Sequence, residues 1–388
     1  MLKGKIKKIA GLGEKIEQKI LQSIEFTQQS GNRYLLSDAL KLANRLIDEM
    51  QKTNLTQRIS VAGSLRRRKE TIGDIDLVVI TKHPNEVIDF FSTQQHVEKL
   101  LVKGPSKCSI ILKDGIHADL RVFGEESFGS ASLYFTGSKQ HNIHLRKIAI
   151  SKKMKLNEYG VFSDKDNKRL AGKTEAQCYE TLGLNYIDPE IREDEGEIEL
   201  SSQNKLPKLI QYAEVKGDLQ MHSNWSDGEN SIEEMATAAQ KLGHEYICIT
   251  DHVGTFVVGN ALDEKKVLQQ GKEIEKLQKK FPKLRILHGA EVNIKDDGSM
   301  DISNSILKDL DIVLGSIHTG LRNDPIKLTD RIITAMENEH VDIIAHPSGR
   351  KLNERPPYEM HFDALLQAAK ETRTVLEINA LPNRLDLD

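Results

Sequence analysis

The stretch from Gly63 to Ile80, GSLRRRKETIGDIDLVVI, places the tightest constraint on the fold of this chain. Its second half is an apolar run of the kind that forms a β-strand, and Asp74 and Asp76 open that strand on either side of Ile75. Successive residues of a strand point to opposite faces, so both carboxylates are expected on one face. Two carboxylates on one face make a binding site for a hard cation such as Mg²⁺.

Hydrophobic periodicity predicts the helices and strands around this stretch. The predicted elements are a helix over 36–50, strands over 59–65 and 73–81, a helix over 84–91, and strands over 109–112 and 116–123. Ser37 or Asp38 is the expected N-cap of the first helix. The last two strands are joined across Lys113-Asp114-Gly115, and Asp-Gly is a strong hairpin signal.

The second strand of this hairpin carries a further carboxylate. His117, Asp119 and Arg121 share one face of it, so Asp119 faces Asp74 and Asp76 if the two strands are neighbours. An isolated Asp-x-Asp is mostly chance, but an unpaired charge among apolar residues is costly, which favours a common cation site for all three. Their joint chemical use is two-metal phosphoryl transfer, in which one cation lowers the pKa of an attacking hydroxyl and the other neutralises the leaving group.

Two other segments offer phosphate-binding features. The turn at Gly63-Ser64 presents backbone amides and a hydroxyl, and Arg66 or Arg67 adds positive charge for a nucleoside triphosphate. Near the N-terminus, Gly11-Leu12-Gly13 interrupts a lysine-rich helical pattern, and a turn of this kind that opens a helix exposes N–H groups. The N-terminal segment resembles a helix-hairpin-helix, which grips the DNA backbone without reading sequence. A solvated basic hairpin is the alternative.

The palm signature of family X DNA polymerases closely resembles GSLRRRKETIGDIDLVV. A second segment, Tyr134 to Ser138 followed by Asn142 and Arg146, resembles the part of these enzymes that closes over the incoming nucleotide. The sequence from Leu156 to Gly160 is similar to a further element of the family. The resemblance implies a nucleotidyltransferase palm, a mixed sheet with helices, that uses Mg²⁺ or Mn²⁺.

The same resemblance implies a role for each matching residue. Asp74 and Asp76 would bind both metals, and Asp119 would activate the primer 3′-hydroxyl. The implied nucleotide-binding set is Gly63, Ser64, Arg67, Gly73, Tyr134, Phe135, Gly137 and Asn142, in which Ser64 and Arg67 serve the triphosphate, Tyr134 and Phe135 the sugar, and Asn142 the base edge. The implied DNA-binding set is Gly11, Gly13, Lys15 and Arg146. Core packing is the alternative for the two adjacent aromatic residues.

Composition sets the outer limits. A chain of 388 residues has room for two or three domains. No apolar run approaches the ~20 residues that span a bilayer, and three scattered cysteines without CxxC spacing fit a reducing compartment, so a cytoplasmic location is expected. The formal net charge of -3 gives no general attraction to nucleic acid, so any binding must depend on local patches.

Acidic residues crowd the segment from Asp188 to Glu199, where only Arg192 opposes them. This composition favours a linker or a solvated, weakly structured connection. The sequence from Leu182 to Glu193 also resembles a junction found in bacterial family X enzymes.

Beyond this junction, short apolar strands alternate with helical stretches, and polar ligand types stand at the strand ends. The predicted strands are Gly217 to His222, Tyr246 to His252, Arg285 to Glu291, Asp311 to His318, Val341 to His346, and Val375 to Asn379. Such alternation favours a parallel sheet or barrel, which carries its chemistry at the carboxyl ends of the strands. A lone histidine there is usually a hydrogen-bonded structural residue, but several in register form a metal site. The candidate ligands are His222, Asp227, His252, Glu291, His318 and His346, a set that suits Zn²⁺, Mn²⁺ or Fe.

The second half resembles a PHP domain, a distorted barrel with a trinuclear metal centre that hydrolyses phosphoesters. DLQMHSNWSDG, ITDH, GAE, SIH and AHPSGR match its motifs over residues 218–350. In bacterial relatives this domain is a Mn²⁺-favouring 3′ to 5′ exonuclease that also removes blocked 3′ ends. Gln220 stands where many PHP domains have the first histidine of an H-x-H pair, and Asp388 comes before the expected last strand with its Asp-x-His. By analogy only the site of Glu291, His318 and His346 keeps its protein ligands, so we expect weak or absent nuclease activity.

The expected fold class is therefore multidomain α/β, with a PHP barrel that lacks its last strand. The predicted domains are a helix-hairpin-helix over 1–34, a palm over 35–124, a nucleotide-closing subdomain over 125–187, a linker over 188–214 and a C-terminally incomplete PHP domain over 215–388. The resemblance implies template-directed, gap-filling DNA synthesis by a monomer that is short at both ends, acting on gapped or primed DNA and deoxynucleoside triphosphates, without a membrane. The alternatives are a template-independent nucleotidyltransferase and a DNA-binding scaffold with a degenerate PHP domain.

Overall fold

The computed structural model describes residues 33–255, 260–321 and 324–387. These residues form two compact units, a first unit that ends at Lys208 and a second unit that starts at Leu209. The division falls inside the segment 188–214 that composition marks as a connection; the finer domain bounds stay a prediction. Gly11, Gly13 and Lys15, with nearly all of the predicted helix-hairpin-helix, lie outside the described residues. Among the described helices, none has the length and apolar character to cross a membrane.

The first unit is built around a five-stranded mixed sheet. The strands of the first unit, in chain order, are β1 (Tyr34–Leu35), β2 (Arg58–Val61), β3 (Thr71–Ile72), β4 (Asp74–Ile80), β5 (Val97–Lys103), β6 (Lys107–Leu112), β7 (His117–Phe123), β8 (Met154–Asn157), β9 (Gly160–Ser163) and β10 (Arg169–Ala171). Its helices are α1 (Leu36–Lys52), α2 (Gly63–Arg66), α3 (Pro84–Thr93), α4 (Phe128–Thr136), α5 (Lys139–Ser151), α6 (Glu175–Thr181) and α7 (Glu197–Ser202). The main sheet has the order β2-β4-β7-β6-β5, with β4 and β7 parallel and the other neighbours antiparallel. Strands β1 and β3 form a two-stranded sheet, and β10, β9 and β8 form a three-stranded sheet in that order.

Strand β4 is buried on both faces because its sequence is apolar at every position after Asp76. Ile75, Leu77 and Val79 face the core that α1 and α3 complete, while Val78 packs on the opposite face against α4. The period-two alternation therefore puts Asp74 and Asp76 on the α4 side of the sheet, as predicted from the sequence.

The predicted elements of this unit are mostly confirmed, with corrections at their ends. Helix α1 starts at Leu36 with Leu35 as its N-cap and no side-chain cap, so the prediction of Ser37 or Asp38 as N-cap is wrong. The predicted strand over 59–65 ends at Val61, because the chain turns into α2 at Gly63. Strand β5 was missed; it is an exposed edge strand whose mixed charged and apolar residues show little alternation.

The segment after residue 187 has regular structure up to Ser202, so the prediction of a weakly structured connection is wrong there. Pro189–Ile191 forms a 3-10 turn, Glu197–Ser202 forms α7, and Arg192 is fully buried. Arg192 and Glu197 are buried because they pair with Glu175 and His141, whereas the other acidic residues of the segment are exposed or half-buried. The composition of the segment alone does not indicate these partners, because they lie elsewhere in the sequence.

The second unit is a curled sheet of parallel strands with the form of a half-barrel. Its strands are β11 (Gly217–Met221), β12 (Tyr246–Ile249), β13 (His252–Val253), β14 (Arg285–Asn293), β15 (Ile312–Ser316), β16 (Ile343–Ile344) and β17 (Val375–Leu376). Its helices are α8 (Ile232–Lys241), α9 (Glu264–Gln278), α10 (Asn304–Leu307), α11 (Pro325–Met336) and α12 (Phe362–Thr372). The strand order is β11-β12-β14-β15-β16-β17, and β13 pairs with β14. All six predicted strands are present, although the one predicted over 246–252 is split into β12 and β13.

Capping residues fix where the helices of this unit begin. Ser231 accepts a hydrogen bond from the Glu234 backbone N–H, and the Glu234 carboxylate accepts from the Ser231 N–H at 2.8 Å, a reciprocal capping box. Asp263 caps α9 by accepting from the Lys266 N–H at 2.8 Å. These caps fix the first turns of α8 and α9, and the parallel strand pairing places the polar residues at the carboxyl ends of the strands at one edge of the sheet.

Candidate active site and metal centre

The three predicted carboxylates of the first unit come together at neighbouring strand positions. In the parallel pair of β4 and β7, Asp76 lies directly opposite Asp119, and Asp74 lies opposite His117. Asp74 is exposed, whereas Asp76 and Asp119 are partly buried. The predicted juxtaposition of the three side chains is confirmed, and their catalytic role stays a prediction.

The crowding of these carboxylates is visible in the pKa of Asp76. Burial, and then the negative charges of Asp74 and Asp119, raise this pKa from its ordinary 3.8 to about 7, while Arg121 and Arg67 offset only part of the effect. A carboxylate with so high a pKa lacks compensating positive charge. This donor set of clustered carboxylate oxygens is the one that Mg²⁺ and Mn²⁺ take in proteins, so the residues fit a divalent cation.

Ser109 is part of this site and was missed in the sequence. It lies opposite Asp119 in the antiparallel pair of β6 and β7, and its hydroxyl donates a hydrogen bond to Asp119 Oδ1. Ser109 is buried, so this contact fixes the orientation of the Asp119 carboxylate. Only the register between the two strands shows the relation, because a serine in an apolar strand carries no signal of its own.

The predicted phosphate-binding turn is the first turn of α2. Gly63 has a φ of +61°, and a Cβ atom at this position would overlap the Asp76 carboxylate. Glycine is therefore required both by the left-handed backbone and by the close approach. Ser64 follows within the same helical turn. Gly73, the other predicted glycine of the set, comes directly before β4, and the nearest contact to a Cβ there would be Arg33 at 3.5 Å.

The two arginines after this turn are both paired inside the first unit. Arg67 donates to Glu193 at 2.9 Å and to the Thr136 carbonyl oxygen at 2.5 Å. Arg66 donates through both of its terminal nitrogens to Glu175, at 2.8 and 2.6 Å. Glu193 and Glu175 were not singled out in the sequence, and Glu193 competes with any triphosphate for Arg67.

The residues predicted to close over a nucleotide lie together around the end of α4 and the start of α5. Tyr134 and Phe135 meet edge to face with ring centres 5.1 Å apart, and Tyr134 is 36% exposed. Asn142 donates to the Tyr134 carbonyl oxygen at 2.6 Å, and Arg146 donates to the Asn142 carbonyl oxygen at 3.2 Å. Gly137, with a φ of +74°, ends α4 beside the Arg67 guanidinium. Phe135 packs against the buried cluster of Ala62, Val78 and Ala131, so it takes part in core packing, and its contact with a nucleotide stays a prediction.

In the second unit, Glu291 is the centre of the predicted ligand set. Its side chain is 2% exposed, and four histidine rings surround it. The distances are 3.1 Å from His222 Nε2 and 3.6 Å from His252 Nδ1 to Glu291 Oε2, and 3.2 Å from His318 Nε2 and 3.1 Å from His346 Nε2 to Oε1. Asp227 lies at the rim, 3.6 Å from His222 and from His252. The structure thus brings all six predicted ligands together.

These side chains form two groups that could hold a metal ion and that share Glu291. One group is His222, His252 and Glu291, and the other is Glu291, His318 and His346. In each group the ligand atoms lie within 4.8 Å of one another. Among the described residues, the buried Nδ1 of His222 has no hydrogen-bond partner; its distance to Asp227 Oδ1 is 3.6 Å. A buried nitrogen without a partner is unusual, and a bound metal ion would satisfy it. The residues therefore fit divalent metal ions at two positions, where analogy pointed to one.

The electrostatics of this centre are opposite to those of the strand-borne carboxylates. Burial alone would raise the pKa of Glu291, but hydrogen bonds from His222, His318 and His346 hold it well below its ordinary value. His222 has a raised pKa, because the hydrogen bond and charge of Glu291 outweigh its burial. Nitrogen and oxygen ligands in this mixture suit Zn²⁺, Mn²⁺ or Fe.

Hydrogen bonds account for Gln220, the residue that departs from the family motif. Gln220 Nε2 donates to Glu291 Oε2 at 2.9 Å, and Gln220 Oε1 accepts from Asn379 Nδ2 at 2.9 Å. Asn379 was predicted only as a strand end. Asp251 was missed altogether: it is fully buried and accepts hydrogen bonds from Ser223 and Gln270, which fixes the loop that carries His222.

Comparison with known proteins gives matches to both units. The family described as DNA polymerase beta thumb matches residues 131–193, and the PHP domain family matches residues 218–380. The DNA polymerase/3′-5′ exonuclease PolX of Bacillus subtilis (strain 168) is 39% identical over 385 residues, which are 99% of this chain and 67% of that protein. A probable phosphatase of Thermoanaerobacter sp. (strain X514) is 38% identical over 154 residues, which are 39% of this chain and 58% of that protein. A crystal structure of Leishmania infantum polymerase beta, a ternary P/T complex, aligns with 48% of this chain and 96% of that chain at 20% identity and a TM-score of 0.38.

Proposed function

This chain belongs to the family X DNA polymerases that carry a PHP domain, and on that premise we propose that its first unit is a template-directed DNA polymerase that fills short gaps. The observation that carries the proposal is the register of β4 and β7, which sets Asp76 directly opposite Asp119 with Asp74 beside them. Its expected substrates are gapped or primed DNA and deoxynucleoside triphosphates, and we expect it to act as a monomer.

Asp74, Asp76 and Asp119 would hold Mg²⁺ or Mn²⁺ in this unit. When bound, such cations lower the pKa of an attacking hydroxyl and neutralise charge on the leaving group. Asp119 is assigned to the primer 3′-hydroxyl, and the hydrogen bond from Ser109 holds its carboxylate in place for that role. The raised pKa of Asp76 supports the assignment. It shows that the ionised carboxylates repel one another in a partly buried site, and a bound cation would stabilise their ionised form.

Ser64 and Arg67 are assigned to the triphosphate, and Tyr134, Phe135 and Asn142 to the nucleoside. Arg67 already donates to Glu193 at 2.9 Å, so binding of a triphosphate requires this ion pair to open or to be shared. Arg146 is assigned to the template strand. Its hydrogen bond to the Asn142 carbonyl oxygen links the two assignments on one face of α5.

Extension of a gapped primer with Mg²⁺ or Mn²⁺ tests the polymerase assignment. We expect Asp119→Ala to abolish extension and Asp89→Ala, a carboxylate on α3 whose side chain is 65% exposed, to leave it unchanged. Equal and poor extension by wild type and Asp119→Ala would show that the assignment is wrong. Extension that ignores the template base would instead support the alternative of a template-independent nucleotidyltransferase.

For the second unit we propose a metal-dependent phosphoesterase that resembles a 3′ to 5′ exonuclease, with weak or absent activity in this chain. Zn²⁺, Mn²⁺ or Fe would bind at the two groups that share Glu291 and supply a polarised water for hydrolysis. The reason for expecting weak activity is Gln220, whose amide is hydrogen-bonded to Glu291 and Asn379. An inactive unit of this kind would fit the alternative of a DNA-binding scaffold with a degenerate PHP domain.

Digestion of a labelled DNA strand from its 3′ end, with Mn²⁺, tests this second proposal. Robust digestion that is lost in His318→Ala and kept in His340→Ala would show that the expected weakness is wrong. His340 is the matched control because it lies outside both metal-binding groups. Metal content measured on the same variants separates loss of the ions from loss of the chemistry.

A further inference from the structure

A cavity of about 310 Å³ lies in the first unit, where β2, α4 and the start of α6 meet. Its size is at the lower end of the ~300–1,000 Å³ found for small-molecule sites. Arg58, Lys173 and Tyr186 are among the side chains that line it. In the part of the chain that the structure describes, the strand-borne carboxylates take no part in its lining, so it is separate from the proposed polymerase centre.

Arg58, an exposed residue, brings a positive charge to the lining of the cavity. Its guanidinium carbon lies 3.9 Å from the ring centre of Phe128, which holds the side chain against α4. No ion pair to Arg58 is found among the described residues. A guanidinium that is stacked on one face keeps its edge N–H groups free for an anion.

The other charges in the lining do not cancel that of Arg58. Glu175 is the lining carboxylate, and it is shared by two arginines, Arg66 and Arg192, at 2.6 and 2.7 Å. This group therefore has one positive charge to spare. Lys173 is the remaining cation; it lies 3.5 Å from Glu126, and both side chains of that pair are at least half exposed. The cavity is thus positive overall and favours a negatively charged ligand.

Ser132 supplies an independent sign of a ligand. Its residue is 3% exposed and lines the cavity, and its Oγ has no hydrogen-bond partner among the described residues. A buried hydroxyl without a partner is destabilising, and nearly all such groups in folded proteins are satisfied. An oxygen atom of a bound ligand would satisfy it.

We propose that this cavity binds a small phosphate monoester attached to a flat ring, of the size of a nucleoside monophosphate. Arg58 and Lys173 contact the phosphate, and Tyr186, which is 38% exposed, offers its ring to the base. The proposal goes beyond the polymerase and phosphoesterase assignments, since neither uses these residues.

Calorimetric titration of the full chain with deoxyadenosine monophosphate in EDTA tests the proposal without any metal-dependent step. We expect Arg58→Ala and Lys173→Ala each to weaken binding by at least about tenfold, since each removes a charge-assisted contact. Arg169→Ala is the matched control, because Arg169 also stacks on a phenylalanine, Phe162, at 5.6 Å, but lies outside the cavity lining. Thermal melting of each variant checks that it is folded, and Lys173, which is half exposed, serves if Arg58→Ala does not fold.

Several outcomes would overturn the proposal. One is that the wild type does not bind deoxyadenosine monophosphate. Another is that binding survives Arg58→Ala and Lys173→Ala but is lost in Arg67→Ala, which would place the ligand at the proposed polymerase site. A third is that inorganic phosphate binds with equal affinity, which would leave no role for the ring. Binding of a DNA duplex that depends on Arg58, without binding of the monophosphate, would point to a nucleic-acid contact instead. Primer extension by Arg58→Ala is expected to match that by wild type. Because the titration contains neither a primer nor a metal ion, its result does not depend on whether the polymerase assignment is right.

Discussion

The close approach of Gly63 to Asp76 leads to a sharp prediction for Gly63→Ala. Gly63 has a φ of +61°, and the added Cβ would overlap the Asp76 carboxylate. The left-handed backbone costs an alanine about 1–2 kcal/mol. The overlap has to be relieved as well, and the partly buried Asp76 side chain can do this by turning away from its position opposite Asp119. We therefore expect a folded protein, destabilised by about 1–2 kcal/mol, with a displaced carboxylate.

The expected effect on activity is much larger than the effect on stability. A misplacement of about 1 Å in a catalytic group costs on the order of 100-fold in rate, so Gly63→Ala is expected to lower the single-turnover rate of primer extension by that factor. Rapid-quench primer extension with saturating Mg²⁺ measures the rate, and thermal unfolding of the same sample measures the stability.

Gly124→Ala is the matched control for this substitution. Gly124 has an ordinary φ of -78°, and a Cβ atom there would meet nothing within 4 Å. We expect this variant to extend primers at the wild-type rate. If Gly63→Ala did the same, the Asp76 carboxylate would not need the position that it has here, and the reasoning would be refuted.

Three further predictions follow from charges that the structure buries. Asp76 has a folded pKa of about 7, above the ~3.9 of an unfolded aspartate, so its ionisation costs stability as the pH rises between these two values. In EDTA, urea titrations should show wild type losing stability relative to Asp76→Asn between about pH 4 and pH 7, and parallel curves would contradict this. Glu291→Gln should abolish binding of Mn²⁺ or Zn²⁺ at both groups, as measured by metal content after gel filtration; retention of one ion would show that the groups are independent. Arg192→Met should lower the free energy of unfolding of the first unit by about 1–3 kcal/mol, because it removes buried hydrogen bonds to Glu175 and to the Ile187 carbonyl oxygen while Arg66 still pairs with Glu175. Arg169→Met should change it by about 0.5 kcal/mol or less.

The parts of the fold that sequence predicts well are those in which the pattern is local. The alternation around Asp74 and Asp76 and the Asp-Gly turn before Asp119 specify two strands and a hairpin from neighbouring residues alone. The placement of His318 and His346 at strand ends follows in the same way, because each ends an apolar run after a helical stretch. Parallel pairing then brings these residues together, and the structure confirms that step.

The parts that sequence reasoning misses depend on distant partners. Ser109 orients Asp119 only because β6 and β7 share a register, and Arg192 is buried only because Glu175, 17 residues earlier in the chain, lies beside it. Asp251 contacts Ser223 across 28 residues. A charged or polar residue in such a position looks solvated in the sequence, since the group that satisfies it belongs to another element.

The two proposed metal centres differ in the balance between their carboxylates and their nitrogen groups. In the first unit burial, and then the negative charges of Asp74 and Asp119, raise the pKa of Asp76. In the second unit burial would raise the pKa of Glu291, but hydrogen bonds from His222, His318 and His346 outweigh it and lower that pKa. A cation in the first centre supplies the charge that the fold leaves out, whereas a cation in the second must displace the hydrogen bonds that the histidines already make to Glu291. Oxygen-only ligands suit Mg²⁺ or Mn²⁺, whereas mixed nitrogen and oxygen ligands suit Zn²⁺, Mn²⁺ or Fe, so Mn²⁺ is the ion that both proposed centres can take.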